Sequence, residues 1–388
     1  MTAENANLDK RIKRQIKGKS QEYFAVVQPG FEEIAEQELR SLGIEDITGR
    51  VEGGIEFAGR LEDCYKANLS SRTISAIYMR ITSFQTTFFT SLKNKIAAVP
   101  WELYLNPEFG ISISTTVRKS KLIHTGRIAE EVIKGIQSHI PVKSEKINSE
   151  KTQEILIRGD NDIFQVSLNS TGEGLHKRGY KSFTVKAPVR ETTASAILQL
   201  SDIGKYDVII DPMCGSGTFS IEAAQILNGA APGSGRDFTF MKWPSYRQTA
   251  YNHILKTSVS DKKFTGKIFT SDIDDDAVIT AGKNIISAGM EKILKAEKLD
   301  FFKDTIDIPK DKKCLIVINP PYGKRLNAES AESIYRKIGR VIREKYSSCG
   351  YAIITPSVEM EKIMSLPYDK KVMFKNGGIN TAVVIKFI

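Results

Sequence analysis

The spacing of apolar and polar residues divides this chain into two patterns that meet near Arg190. In the first, residues 23–27 read as a strand. Residues 30–42 read as an amphipathic helix that ends at Gly43, because the apolar positions recur at helical spacing and glycine closes a helix readily. Residues 47–57, broken by Gly53-Gly54, predict a β-hairpin. A second α+β block runs from about Glu62 to Asn169. Within it, residues 111–117 alternate as a strand, 126–138 form a helix and 164–168 a closing strand. Residues 1–20 are polar and basic with no sustained apolar stripe, and are expected to be a flexible arm or a short frayed helix.

After Arg190, strands alternate with helices, as in a parallel sheet. Strand 206–211 leads to helix 219–227, strand 267–272 to helix 276–288, strand 313–319 to helix 331–345, and strand 350–355 to helix 358–364. The end differs: residues 371–374, a turn at 376–378 and residues 381–388 predict a hairpin that adds an antiparallel strand. There is no internal repeat and no low-complexity tract.

Length and composition narrow the class. A chain of 388 residues suits two or three domains, and 41% hydrophobic with 26% charged residues is ordinary globular composition. The longest apolar runs, 206–210 and 314–318, have strand length and are too short to cross a bilayer. No apolar signal region opens the chain. Cys64, Cys214, Cys314 and Cys349 are scattered, which argues against a zinc site or a disulfide scaffold. The expectation is a metal-free protein of a reducing cytoplasm, monomeric and not membrane-bound. The net charge of +10 makes nucleic acid the leading partner class.

Two loops carry chemistry. The first, residues 211–218 (DPMCGSGT), lies between a strand and a helix. Gly215 and Gly217 allow a tight turn and close backbone approach to a ligand, and the helix behind them offers free N–H groups. A nicotinamide fingerprint would carry a third glycine, where this chain has Ser220, and an acid about 20 residues on. Asp211 suits a ligand amino group rather than a pyrophosphate, so S-adenosylmethionine fits better. Asp272 is then placed for ribose hydroxyls and Asp300 for the adenine amine. Asp274, Asp275 and Asp276 are read as a helix cap and first-turn acids. With Met213, Cys214, Thr218, Ile273 and Asn319, these form the candidate cofactor set.

The second loop, Asn319, Pro320, Pro321 and Tyr322, follows the apolar strand. An exocyclic base amine is a poor nucleophile because its lone pair is delocalised. Accepting its two N–H bonds with the Asn319 side-chain oxygen and the Pro320 carbonyl would draw the nitrogen toward tetrahedral geometry, while Tyr322 offers a stacking face. These four are the candidate catalytic residues. Guanine N2, adenine N6 and cytosine N4 all present such an amine, and the loop alone does not separate them.

With both loops in this order, the second half resembles class I amino-methyltransferases, whose catalytic loop is [D/N/S]PP[Y/F/W]. Further segments resemble bacterial large-subunit rRNA guanine-N2 methyltransferases: LHKRGY at 175–180, APVRE at 187–191, APG at 231–233 with Phe238 and Trp243, and NPPYGKRL at 319–326. So does the hairpin at 371–378, although Gly378-Ile379-Asn380 departs from the Leu-Glu pair frequent in relatives. The N-terminal part resembles a THUMP RNA-binding domain with a ferredoxin-like lead-in. The resemblance implies a Rossmann-like seven-stranded class I methyltransferase domain at 171–388, a ferredoxin-like lead-in at 21–61 and a THUMP domain at 62–170. It implies methyl transfer to guanine N2 in RNA, with rRNA as the first candidate and tRNA the second. Arg118, Lys119 and Lys121 are the candidate RNA contacts of that module; Lys177 and Arg178 could bind phosphate or pair with a carboxylate, and are read as RNA or active-site contacts.

Other readings were weighed. A cysteine nucleophile is disfavoured, since Cys214 lies on the cofactor side and Cys314 starts a buried strand. His176 reads as structural or RNA-contacting, because transfer from a sulfonium needs no strong base. The aromatic, basic segment 238–247 reads as a wall of the base pocket or as a covering flap. A DNA amino-methyltransferase and a non-catalytic RNA-binding assembly factor are the alternatives to an RNA methyltransferase.

Overall fold

A computed structural model describes residues 3–148, 150–181, 183, 189–258, 260, 262–321, 328–376 and 378–388. It forms two compact units. The first comprises Met1–Val27, Glu38–Leu175 and Arg236–Thr257; the second comprises Gln28–Gln37, His176–Gly235 and Ser258–Ile388.

The first unit is built on one seven-stranded sheet. Its elements are α1 (Ala3–Ile12), β1 (Gln21–Val27), α2 (Glu32–Ser41, divided between the units), β2 (Ile47–Val51), β3 (Gly54–Gly59), α3 (Leu61–Ser70) and β4 (Ile74–Gln85). They continue with α4 (Phe89–Ala97), β5 (Gly110–Arg118), α5 (Thr125–Gln137), β6 (Thr152–Asp160) and β7 (Ile163–Asn169). The strand order is β2-β3-β1-β4-β7-β6-β5. Only β5 and β6 run parallel among these pairs. The apolar stripe of α5 (Ile128, Val132, Ile136) is buried, and Gly135 lets α4 approach: a Cβ there would meet Ile96 at 2.7 Å.

Two expectations change here. Of the two readings of residues 1–20, the helix is the one found over the described residues 3–20, and it is packed instead of being a free arm: α1 runs into a π-helical turn at Lys13–Lys17, Ile12 and Ile16 are 2% and 1% exposed, and Arg11 pairs with Glu102 at 2.8 Å. Two isoleucines four apart make a stripe one turn wide, too short to stand out among polar neighbours. The expected division at residue 61 is also not a break in the sheet, because β1 pairs with β3 on one side and with β4 on the other.

The second unit contains α6 (Glu191–Leu200), β8 (Val208–Asp211), α7 (Thr218–Leu227), β9 (Lys267–Asp272), α9 (Asp275–Ser287), β10 (Ala296–Lys298) and β11 (Cys314–Ile318). It ends with α10 (Ala328–Lys345), β12 (Gly350–Thr355), α11 (Val358–Met364), β13 (Lys370–Asn376) and β14 (Ile379–Lys386); α8 (Gln248–Thr257) lies in the first unit. The strands order as β10-β9-β8-β11-β12-β14-β13, or 3-2-1-4-5-7-6 in the unit's own count. The first five are parallel and β14 is inserted antiparallel. This is the Rossmann-like seven-stranded sheet that the sequence predicts. Every residue of β8, β11 and β12 is buried, as expected of central strands covered on both faces. On one face α10 packs through Tyr335, Ile338, Val341 and Ile342. Gly339 admits α11, since a Cβ there would lie 1.9 Å from the Met364 carbonyl oxygen. The strand order reverses between β8 and β11, which opens a crevice at their carboxyl ends.

Residues 236–257 lie within the second pattern along the chain but belong to the first unit. Phe240 stacks on Tyr65 with ring centroids 4.5 Å apart, Tyr246 and Tyr251 meet Tyr65 edge-on, and Arg236 donates to the Gly174 carbonyl at 2.9 Å. Phe238, Phe240 and Trp243 are buried. Of the two readings of this segment, covering structure is the one that its burial favours.

Candidate active site

The crevice holds a cavity of about 770 Å³, within the usual range for a small-molecule site. Its floor is the loop between β8 and α7. Gly215 and Gly217 adopt φ of +54° and +78°, in the left-handed region that favours glycine. Gly217 also abuts α9, where a Cβ would meet the Ala281 Cβ at 3.3 Å. The Gly217 N–H closes the turn onto the Cys214 carbonyl (2.8 Å), and the Cys214 N–H donates to Ser271 O (2.9 Å).

Asp272 ends β9 and faces the cavity. Its carboxylate accepts from Gly215 N–H at 2.9 Å and from Asp274 N–H at 3.1 Å. Burial raises its pKa, opposed by those two amides. Asp274 caps α9 by accepting from Asp276 N–H at 3.0 Å, as the sequence predicts. Asp300, past β10, accepts from Phe302 N–H at 3.0 Å and pairs with Lys303 at 3.3 Å. Asn319 follows β11, and its side-chain oxygen is buried with no hydrogen-bond partner among the described residues.

Of the candidate cofactor set, Met213, Cys214, Gly215, Thr218, Asp272, Ile273, Asp300 and Asn319 line this one cavity, together with Pro321 of the catalytic set. Asp211, Gly217 and Pro320 are not in its wall. Asp211 is 1% exposed and lies beneath the loop, where its carboxylate accepts from Ser220 N–H (3.2 Å) and Ser220 Oγ (2.8 Å). One carboxylate oxygen, Oδ2, thus caps the first turn of α7, while Oδ1 is buried without a hydrogen-bond partner among the described residues, so the acceptor expected to meet a ligand amino group is still available. Burial pushes its carboxyl up to about 7 against those two hydrogen bonds, with the Asp272 charge adding to the rise. Tyr322 lies outside the described residues. Burial raises the Cys214 thiol, which keeps it protonated.

The cationic candidates divide. Arg118 ends β5 and Lys119 and Lys121 follow it, all three exposed; the Arg118 side chain is 71% exposed while pairing with Asp160 at 3.0 Å. Lys177 is exposed. Of the two readings of Arg178, pairing with a carboxylate is the one the structure favours over RNA contact: its side chain is only 2% exposed and pairs with the fully buried Glu222 at 3.7 Å. His176 is held neutral, its pKa lowered to about 4 by burial first and then by Arg190, Lys177, Arg178 and Lys181.

Sequence reasoning passed over Glu222, Phe302 and Asn284, and read Ser220 only as the absence of a third glycine. Asn284 carried a usable signal, a polar residue among Ala277, Ala281 and Ile285 on the buried face of α9.

Comparison with known proteins decides the family. Residues 178–385 match the RMKL-like methyltransferase domain, and residues 22–78 match the RlmL ferredoxin-like domain. The chain belongs to the RMKL-like methyltransferases. The ferredoxin-like match extends past residue 61, in keeping with the unbroken sheet. A candidate RNA methyltransferase of Synechocystis sp., slr0064, is 30% identical over 366 residues, covering 92% of this chain and 94% of that one. The Ribosomal RNA large subunit methyltransferase K/L of Syntrophotalea carbinolica is 29% identical over 92% of this chain, and the chain spans only 52% of that protein. Among solved structures, SMU.472, a candidate methyltransferase complexed with SAH, superposes with a TM-score of 0.86 at 27% identity, covering 95% of this chain and 98% of its own.

The cofactor of this RMKL-like enzyme is S-adenosylmethionine, and its own residues fit that group. The Asp272 carboxylate can accept ribose hydroxyls, and Asp300 the adenine amine. Ile273, 60% exposed at the cavity, offers an apolar face. The first turn of α7 suits the cofactor's carboxylate.

Proposed function

We propose that this enzyme methylates the exocyclic N2 of a guanine in RNA, with large-subunit rRNA as substrate. The observation that carries the reading is the Asn319 side-chain oxygen, buried and without a hydrogen-bond partner beside the cofactor cavity. A buried acceptor left unpaired costs about 1–3 kcal/mol, so a site that keeps one is suited to a donor that arrives with the substrate. A base amine is such a donor.

The chemistry follows from that placement. Bound S-adenosylmethionine supplies an electrophilic methyl on its sulfonium. Asn319 Oδ1 and the Pro320 carbonyl accept the two amine hydrogens, which localises the nitrogen lone pair and aims it. Tyr322 stacks on the base once it is unstacked from the RNA. Positioning and polarisation then supply most of the rate, and the product nitrogen releases its proton to water.

RNA is favoured over DNA by the names of the relatives, by the net charge of +10 and by the exposed Arg118, Lys119 and Lys121. We assign RNA capture to a THUMP-like module over residues 62–170. A ribosomal substrate implies a cytoplasmic enzyme. Guanine N2 rests on the resemblance, since any base amine satisfies the loop. The test is transfer of a radiolabelled methyl to protein-free 23S rRNA, to tRNA and to duplex DNA. Label in N2-methylguanosine of the rRNA is expected; label in DNA only, or in none of them despite cofactor binding, would overturn the reading.

A further inference from the structure

Asn284 lies on α9 with 0% exposure, and its amide is engaged on both sides. Its Nδ2 donates to the Ser216 carbonyl (3.0 Å) and to the Phe183 carbonyl (2.9 Å), and its Oδ1 accepts from Phe183 N–H (3.3 Å). Ser216 belongs to the cofactor loop and lines the cavity. Phe183 belongs to the segment that leads from His176 toward α6. One turn earlier on α9, Ala281 packs against Gly217. A single buried amide therefore joins the loop to a segment more than thirty residues away in sequence.

That segment is fastened elsewhere too. Tyr180 OH donates to the buried Glu222 at 2.8 Å, and Lys181 Nζ donates to the Val189 carbonyl at 2.6 Å. Val189 itself lines the cavity. Residues 176–181 and Phe183 are thus tied to α7 through Glu222, to the cavity wall through Val189 and to the loop through Asn284. Among the described residues, no side chain of α9 other than Asn284 hydrogen-bonds to both the loop and this stretch.

We propose that Asn284 is a positioning residue that locks the 176–183 stretch to the cofactor loop, so that filling the cavity orders both together. The proposal rests on the cavity being the cofactor site. An amide is suited to the task because only it offers two donors and an acceptor to three backbone groups. Two carbonyls aimed at one nitrogen would repel a carboxylate placed there.

The test is calorimetry with S-adenosylhomocysteine and hydrogen exchange of residues 176–183, with and without it. For the natural protein, binding with slower exchange in 176–183 is expected. Asn284→Ala is expected to weaken binding about tenfold, raise KM for the cofactor more than it lowers kcat, and abolish the protection. Asn284→Asp is expected to bind weakly at pH 8 and to recover as pH falls and the carboxyl regains a donor, with the ligand-dependent protection returning over the same pH range while the unliganded protein stays folded throughout, a link to binding that a purely structural role would not give. Exchange in 176–183 unmoved by ligand in the natural protein, or affinity within twofold of natural in both variants, would overturn the proposal. Should the natural protein bind no S-adenosylhomocysteine, the cofactor reading itself fails, and a flat titration of the natural protein identifies that case.

Discussion

The Gly215 amide donates to the Asp272 carboxylate across 2.9 Å, so the loop after β8 is fixed by the acid that ends β9. The same carboxylate faces the cavity. Asp272→Ala therefore removes both a loop tether and a ribose acceptor. A hydrogen bond to a charged group contributes about 1.5–3 kcal/mol, which corresponds to roughly a ten- to hundredfold loss of S-adenosylhomocysteine affinity by calorimetry. Unchanged affinity would contradict the assignment.

Neighbouring cations are predicted to behave oppositely. Arg178→Ala leaves the buried Glu222 short of its ion-pair partner and should lower unfolding stability by about 3 kcal/mol, with the salt dependence of RNA binding unchanged in the folded fraction. Lys177→Ala, at an exposed position, should cost less stability than Arg178→Ala and reduce the salt slope of RNA binding by about one. Denaturant titrations and RNA titrations over a salt series check both; equal effects on RNA would restore Arg178 as a contact.

Asp211 gives a pH signature. Its folded pKa stands at about 7 against 3.8 when unperturbed, so the folded cofactor-free protein holds this proton longer than the unfolded chain does. Its contribution is full below pH 3.8 and is lost as pH rises through about 7, by at most about 1.4 kcal/mol per pH unit. His176 acts in the other direction, with stability lost as pH falls from 6.5 toward about 4, but that term is common to natural protein and variant. The stability of Asp211→Asn relative to the natural protein should thus climb between pH 5 and 7.5 in urea unfolding. A difference independent of pH would refute the buried, proton-holding carboxyl.

The parallel half of the fold was legible because its central strands are buried on both faces and so are short unbroken apolar runs, such as Cys314–Ile318. Both loops were legible because they sit where strands end. What escaped depended on distant partners. Arg178 looked like an RNA contact in a basic run, and its burial depends on Glu222, 44 residues on. Ile12 and Ile16 make one apolar turn that only the folded unit explains. The 236–257 segment interrupts the methyltransferase pattern with aromatic residues whose partner, Tyr65, lies far earlier in the chain.

The central claim is that Asn319 polarises a guanine amine in ribosomal RNA. The direct measurement is nucleoside mass spectrometry of RNA from cells lacking this protein, complemented with the natural sequence or with Asn319→Ala. Calorimetry alongside should show that Asn319→Ala keeps its S-adenosylhomocysteine affinity. The account predicts that N2-methylguanosine falls in the 23S rRNA of the deletion strain, returns with the natural protein and stays absent with Asn319→Ala, whose turnover should drop by about a hundredfold or more. Restoration of the methylated nucleoside by Asn319→Ala at a natural rate would contradict it.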